Sequence, residues 1–175
     1  MWTRRDLYRY GSWLLGGAMS LGLAIPGVAY VLDPLRKRGE SGTTQRLTRL
    51  SALKVGEPQS FAVIAERQDA WVKYPPEPIG TVWLVRQPEG AKPPVIAFTA
   101  ECPHLGCAIV QAPDAKSFIC PCHRSIFDLK GKPQNDLSPR SMDTLDVELT
   151  TDDDPAVVVR FTRFRTQTKE KIPLV

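Results

Sequence analysis

Two boxes, C-P-H-L-G-C from Cys102 to Cys107 and C-P-C-H from Cys120 to His123, hold all four cysteines and both histidines of this 175-residue chain. Chance scatter would not gather every soft ligand into one short window. Two thiolates and two imidazoles at C-x-H and C-x-x-H spacing can hold a [2Fe–2S] cluster, with Cys on one iron and His on the other. Zinc competes, because two Cys and two His also suit a tetrahedral site. Zinc-finger spacing, however, groups the cysteines together and the histidines together. Here each box brings one Cys and one His plus a spare Cys, and zinc does not account for the spare pair, Cys107 and Cys122. A framework of structural disulfides alone would leave His104 and His123 without a role.

Outward from the boxes the pattern is β. From Phe61 onward come F-A-V-I-A, W-V-K-Y, T-V-W-L-V, V-I-A-F-T, S-F-I-C, S-I-F-D, T-L-D-V-E-L and A-V-V-V-R-F. These short runs are rich in β-branched and aromatic residues and are separated by Pro- and Gly-bearing turns. Their spacing predicts an antiparallel sandwich or barrel. Both boxes fall on loops after strands, where a rigid sheet can present them to a partner.

Towards the N-terminus, Tyr10 to Leu32 carries no charge and is rich in Leu, Gly and Ala. That is long enough to cross ~30 Å of hydrocarbon as a helix. Pro26 is tolerable in such a helix. Trp2, Tyr8, Tyr10, Trp13 and Tyr30 stand near its ends, as an aromatic belt would. A cleaved signal peptide would have a shorter apolar stretch and an A-x-A-like end, which Gly27-Val28-Ala29 matches poorly. Arg4–Arg5 resembles a twin-arginine export signal. Basic residues flank both ends (Arg4, Arg5 and Arg9 against Arg36, Lys37 and Arg38), so the positive-inside rule does not set the orientation. Asp33 to about Leu50, with D-P, R-K-R-G and E-S-G-T-T, reads as a linker.

The net charge of +4 is modest, and much of the basic excess lies beside the apolar segment, where anionic lipids would attract it. No basic stripe with interleaved aromatics points to nucleic acid. Asp152-Asp153-Asp154 reads as a solvated turn.

C-P-H-L-G-C followed by F-I-C-P-C-H-R-S-I-F-D, Phe118 to Asp128, resembles the Rieske iron–sulfur proteins over both metal-binding loops. The resemblance implies an all-β head, an antiparallel β-sandwich with two cluster-binding loops, behind one transmembrane helix. It implies Cys102 and Cys120 on the inner iron, His104 and His123 on the outer iron, and a Cys107–Cys122 disulfide. The disulfide points away from Rieske ferredoxins and ring-hydroxylating oxygenases. It points towards cytochrome bc-type complexes or the small subunit of arsenite oxidase. The expected layout is a cytoplasmic twin-arginine segment 1–9, a transmembrane helix 10–32, a hinge 33–50 and a Rieske domain 51–175, with its cluster-binding part at about 97–141. A disulfide needs an oxidising space, so the head is expected on the periplasmic side of a bacterial inner membrane.

The implied chemistry is electron transfer from quinol, menaquinol or ubiquinol, to a c-type cytochrome. A cytochrome b-type subunit and a dimeric multi-subunit complex would be the setting. Imidazole ligands carry less negative charge than thiolates and raise the reduction potential. They also bring a proton, and the family assigns the quinol contact to His123, with His104 beside it. Neighbouring groups tune the potential. Ser125 stands where the family's hydroxyl bonds a bridging sulfide. Phe127 stands where high-potential members have a Tyr that donates to a ligand sulfur. Arg124 replaces the usual Gly. Asp136 to Arg140 matches the family's cover loop only in Pro139. Leu105 stands where the family packs a Leu at the quinol-site surface. A zinc-stabilised membrane protein and an arsenite-oxidase-type subunit are the competing expectations.

Overall fold

The computed structural model describes residues 3–36, 42–66, 68–69 and 72–174. The chain divides into an N-terminal helical unit and a β unit that runs to the C-terminus.

The helix, α1 (Arg4–Arg36), starts at a capping box. The Thr3 hydroxyl accepts from the Asp6 N–H at 3.3 Å, and the Asp6 carboxylate accepts from the Thr3 N–H at 3.3 Å and its hydroxyl at 2.6 Å. Each end of the box satisfies a donor that helix geometry leaves open. At 1.5 Å per residue α1 is about 50 Å long, more than the ~30 Å of hydrocarbon in a bilayer. Its span from Arg4 to Leu32 is long and apolar enough to cross a membrane, with none of its most apolar window buried inside the protein. The helix begins before the expected Tyr10, so Arg4, Arg5 and Arg9 lie on its first turns, and it runs through Pro26 without a break.

The stretch from 33 to 50 differs from the expected linker. It is helical to Arg36, and from Thr43 it is strand β1 (Thr43–Arg49); 37–41 lie outside the described residues. β1 leaves little trace in the sequence because it is an edge strand. Thr43, Gln45 and Leu47 face inwards only half-buried, and a register shift after Arg46 breaks the alternation.

The remaining strands are β2 (Pro58–Ala65), β3 (Gln68–Asp69), β4 (Val72–Lys73), β5 (Glu77–Arg86), β6 (Val95–Thr99), β7 (Val110–Gln111), β8 (Ser117–Ile119), β9 (Ile126–Asp128), β10 (Thr144–Leu149) and β11 (Ala156–Phe161). Five of them join β1 in one antiparallel sheet in the order β1-β11-β10-β6-β5-β2, and β7-β8-β9 form a second. β3 and β4 make a short hairpin. The large sheet nearly closes, because the Gln45 side-chain oxygen on β1 accepts from the Ile64 N–H on β2 at 2.9 Å.

β5 and β6 form the wall between two cores. Val82, Leu84, Val95 and Ala97 face a core shared with Val157, Val159 and Phe161. Their neighbours Trp83, Val85 and Phe98 face the other way, against Phe118, Phe127, Cys102 and Cys120. A strand buried on both faces reads as an unbroken apolar run, as V-W-L-V does. The second core is aromatic. Phe118 lies 5.4 Å from Trp83 and 6.2 Å from Phe98 between ring centroids, and the Trp83 indole N–H donates to the Ile109 carbonyl at 3.0 Å. Each fully buried ring contributes roughly 1.5–3 kcal/mol, against about 1 kcal/mol for one hydrogen bond. The rings therefore hold the loop-bearing sheet to the large one.

Candidate metal centre

The two boxes fold into the same turn. In each, the N–H of the leading cysteine donates to a carbonyl five residues on, Cys102 to Cys107 and Cys120 to Ser125, both at 2.9 Å. The fifth residue then donates back to the cysteine carbonyl, Gly106 to Cys102 at 2.8 Å and Arg124 to Cys120 at 2.9 Å. That fifth position is left-handed in both loops, with φ of 77° at Gly106 and 62° at Arg124. Glycine adopts this conformation freely, whereas a side chain with a Cβ is strained in it. The loops follow β6 and β8, as their strand-then-box sequence predicts.

Each loop delivers a buried thiol and an outer imidazole. Cys102 and Cys120 are buried free thiols. His104 is half-buried and His123 exposed, and their rings meet edge to face with centroids 5.0 Å apart. Cys107 and Cys122 form the expected disulfide across the loops, with Cα atoms 6.6 Å apart. The sulfur atoms of Cys107, Cys120 and Cys122 lie within 4.8 Å of one another. Two of the three are committed to the disulfide, so this trio is not a metal site.

Burial pushes the Cys102 thiol up from its ordinary value. The His104 backbone N–H opposes this, and the neighbouring Cys120 adds to it. A buried thiol whose charged form is disfavoured in this way calls for a cation to offset its charge when it ionises. Ser125 is fully buried; its hydroxyl stands near enough to Cys102 to oppose the rise of that thiol's pKa, yet meets no partner in hydrogen-bonding geometry among the described residues. A buried orphan hydroxyl beside two thiols fits an acceptor supplied by a bound group, such as a sulfide. The residues present therefore fit a [2Fe–2S] cluster.

Phe127 sits opposite Phe118 in the β8–β9 register, fully buried in the core that contains both free cysteines. Leu105 is exposed next to His104, and Arg124 is exposed next to His123. Pro139 is exposed, in a loop pinned by the Ser138 hydroxyl, which donates to the Arg140 carbonyl at 2.7 Å. Asn135 is a residue that sequence reasoning missed. Its amide nitrogen donates to the Arg124 carbonyl at 2.8 Å, and its oxygen accepts from the Ile126 N–H at 3.4 Å, which clamps the second loop. Asn commonly caps backbone in this way, but nothing in N-D-L-S-P ties that role to a loop eleven residues earlier.

The Rieske [2Fe-2S] domain model matches residues 44–151. The menaquinol:cytochrome c reductase iron-sulfur subunit of Bacillus subtilis (strain 168) is 29% identical over 133 residues, 74% of this chain and 75% of that protein. The corresponding subunit of Geobacillus thermodenitrificans is 28% identical over 133 residues, with the same shares of both chains. The cytochrome b6-f complex iron-sulfur subunit of Prochlorococcus marinus (strain MIT 9515) is 41% identical over 63 residues, 36% of this chain and 34% of its own. The cofactor is thereby one Rieske-type [2Fe–2S] cluster rather than zinc. The paired loops, the disulfide between them and the matched domain lead to one conclusion: the chain belongs to the Rieske [2Fe–2S] domain family.

Proposed function

We propose that the protein is the membrane-anchored iron–sulfur subunit of a quinol:cytochrome c oxidoreductase. Cys102 and Cys120 would hold the inner iron, and His104 and His123 the outer one. The observation that carries this is the meeting of two imidazoles, one of them exposed, in front of two buried thiols. When bound, the cluster supplies one-electron chemistry at a potential raised by its imidazole ligands. His123, exposed, offers the ring nitrogen not bound to metal to the hydroxyl of a quinol, and takes its proton there. His104 lies against that ring and limits its tilt. Leu105, 45% exposed, forms an apolar contact for a cytochrome b-type subunit. The electron then passes to a c-type cytochrome within a dimeric complex. α1 anchors the subunit in the inner membrane with its N-terminus in the cytoplasm. The disulfide supports a head on the periplasmic side, because thiols are oxidised there. Phe127 has no hydroxyl to donate to a ligand sulfur, which favours menaquinol over ubiquinol.

Membranes carrying the full chain test the proposal. Reduced samples should give the low average g-value of a histidine-ligated cluster, a b-type cytochrome should co-purify, and His123→Ala should abolish quinol:cytochrome c reductase activity. A cluster signal with no b-type haem in the purified complex would remove the bc-type assignment.

A further inference from the structure

We propose that the C-terminal segment, residues 163–174, is a strap that positions the first metal loop, with the Gln167 N–H and the Arg140 guanidinium as its two fastening points. The strap rests on the reading of His104 as a ligand and deepens that assignment. The segment is a hairpin of its own: Arg165 N–H donates to Ile172 and Leu174 N–H to Arg163, at 2.9 and 2.8 Å. At its tip the Gln167 N–H donates to the Pro103 carbonyl at 2.9 Å. That carbonyl belongs to the peptide bond from which His104 springs, so the contact fixes the peptide plane that aims the imidazole. Thr166 stands against the same loop: a Cβ added at Gly106 would lie 3.6 Å from its methyl group.

The strap is fastened from the other side by Arg140, at the end of the loop that carries Pro139. Its guanidinium forks onto Asp143 at 2.9 and 2.8 Å, and both side chains are almost fully buried, 8% and 5% exposed. The remaining N–H groups donate to the Thr168 carbonyl at 2.6 Å and the Arg165 carbonyl at 2.8 Å. A buried ion pair adds little net stability, but it sets geometry, and a planar fork reaching a carboxylate and two carbonyls is a task that lysine cannot copy. Arg163 adds an exposed pair to Glu101, the residue before Cys102, at 3.3 Å. The loop after β9, the first metal loop and the C-terminus are thus one mechanical unit. The second metal loop is held separately, by Asn135.

Gln167 is itself left-handed, with φ of 60°. Gln167→Gly keeps both the N–H and the backbone conformation, whereas Gln167→Pro loses the donor and forbids the conformation. The full chain, purified in detergent with its cluster, is compared with Gln167→Gly, Gln167→Pro, Arg140→Met and Arg140→Lys. The readouts are amide exchange, the EPR spectrum of the reduced state, iron loss to a chelator and thermal midpoint. Gln167→Gly should match the parent. Gln167→Pro should speed exchange across residues 102–107 by about tenfold, as expected for one lost hydrogen bond, Arg140→Met, which loses the whole fork, by at least as much, and both should leave 120–125 unchanged. Both should shift the g-values and hasten iron loss. Should Gln167→Pro fail to accumulate, Arg140→Lys decides, since it keeps the charge and loses the fork. A lower thermal midpoint with parental exchange and a parental spectrum overturns the strap, and so does equal acceleration in both loops. A parent without the histidine-type spectrum sinks the ligand reading instead; exchange, which needs no metal, still judges the strap.

Discussion

The first and second metal loops are one backbone turn written in two sequences. Both close with the same pair of hydrogen bonds around a leading cysteine, and both place their fifth residue in the left-handed region. They differ in everything the turn does not dictate. The histidine stands third in Cys102–Cys107 and fourth in Cys120–Ser125, so one ring is half-buried and the other exposed. The sixth position is a disulfide cysteine in one loop and the orphan Ser125 in the other. The first loop leans on the C-terminal segment and the second on Asn135. The turn places the thiols; the positions around it determine what meets a partner, what tunes the site and what bears strain.

If the loops are equivalent in supplying ligands, removing a ligand from either one should be equally severe. Cys102→Ser and His123→Ala should each leave iron and acid-labile sulfide near zero. Retention of a spectroscopically normal cluster in either variant breaks the symmetry outright. Cys107→Ser should do less, since it removes the tie and not a ligand. The disulfide spans a separation of 15 residues, and in the loop-entropy model a closure of that size is worth about 3 kcal/mol. The variant should assemble its cluster poorly and lose it readily on warming. Iron content and a melting point equal to the parent's would mean that the strap and Asn135 suffice without it.

A third test separates the loops from the core beneath them. Phe127 is buried with both free cysteines. Phe127→Tyr places a hydroxyl in that core, where a hydrogen bond donated to a ligand sulfur would stabilise the reduced state. The midpoint potential, read by an EPR-monitored redox titration, should rise by tens of millivolts, and ~59 mV is tenfold for a one-electron couple. An unchanged or lower potential, with the fold intact, means that the ring edge points away from the sulfurs.

Much of this was legible in the sequence because the informative residues are local. The boxes read as chemistry from spacing, and T-V-W-L-V and V-I-A-F-T announced β5 and β6 through β-branched and aromatic residues between turns; their burial on both faces is what the structure adds. The resemblance supplied the disulfide pairing, which spacing did not fix. Elements whose support comes from afar stayed hidden. β1 is polar on one face and half-buried on the other, and its partner β11 lies more than a hundred residues on. β7 is too short to show a period. Asn135, Arg140 and Gln167 act through a few hydrogen bonds and one buried ion pair, with no periodicity to reveal them. Arg124 was visible as a departure from glycine, but only the backbone shows that it occupies the position Gly106 fills in the other loop.

That exchange gives the smallest effect. Arg124 has φ of 62°, and a left-handed residue with a Cβ costs roughly 1–2 kcal/mol. Arg124→Gly removes that strain and gives back part of the gain as extra freedom in the unfolded chain, about 0.4–1 kcal/mol. The turn itself is untouched, because Arg124 engages Cys120 and Asn135 only through backbone groups. The net gain should be about 0.5–1 kcal/mol, a rise of a few degrees in the melting point. Gly106→Ala is the mirror experiment. A Cβ there meets nothing closer than the Thr166 methyl at 3.6 Å, so the cost should be backbone strain alone, of similar size and opposite sign. Scanning calorimetry on both variants decides the matter. Equal and opposite shifts mean that the loops are one turn, with the glycine of the first replaced by arginine in the second. A much larger loss at Gly106 means that the first loop is held more tightly, and that its strap has no room to yield.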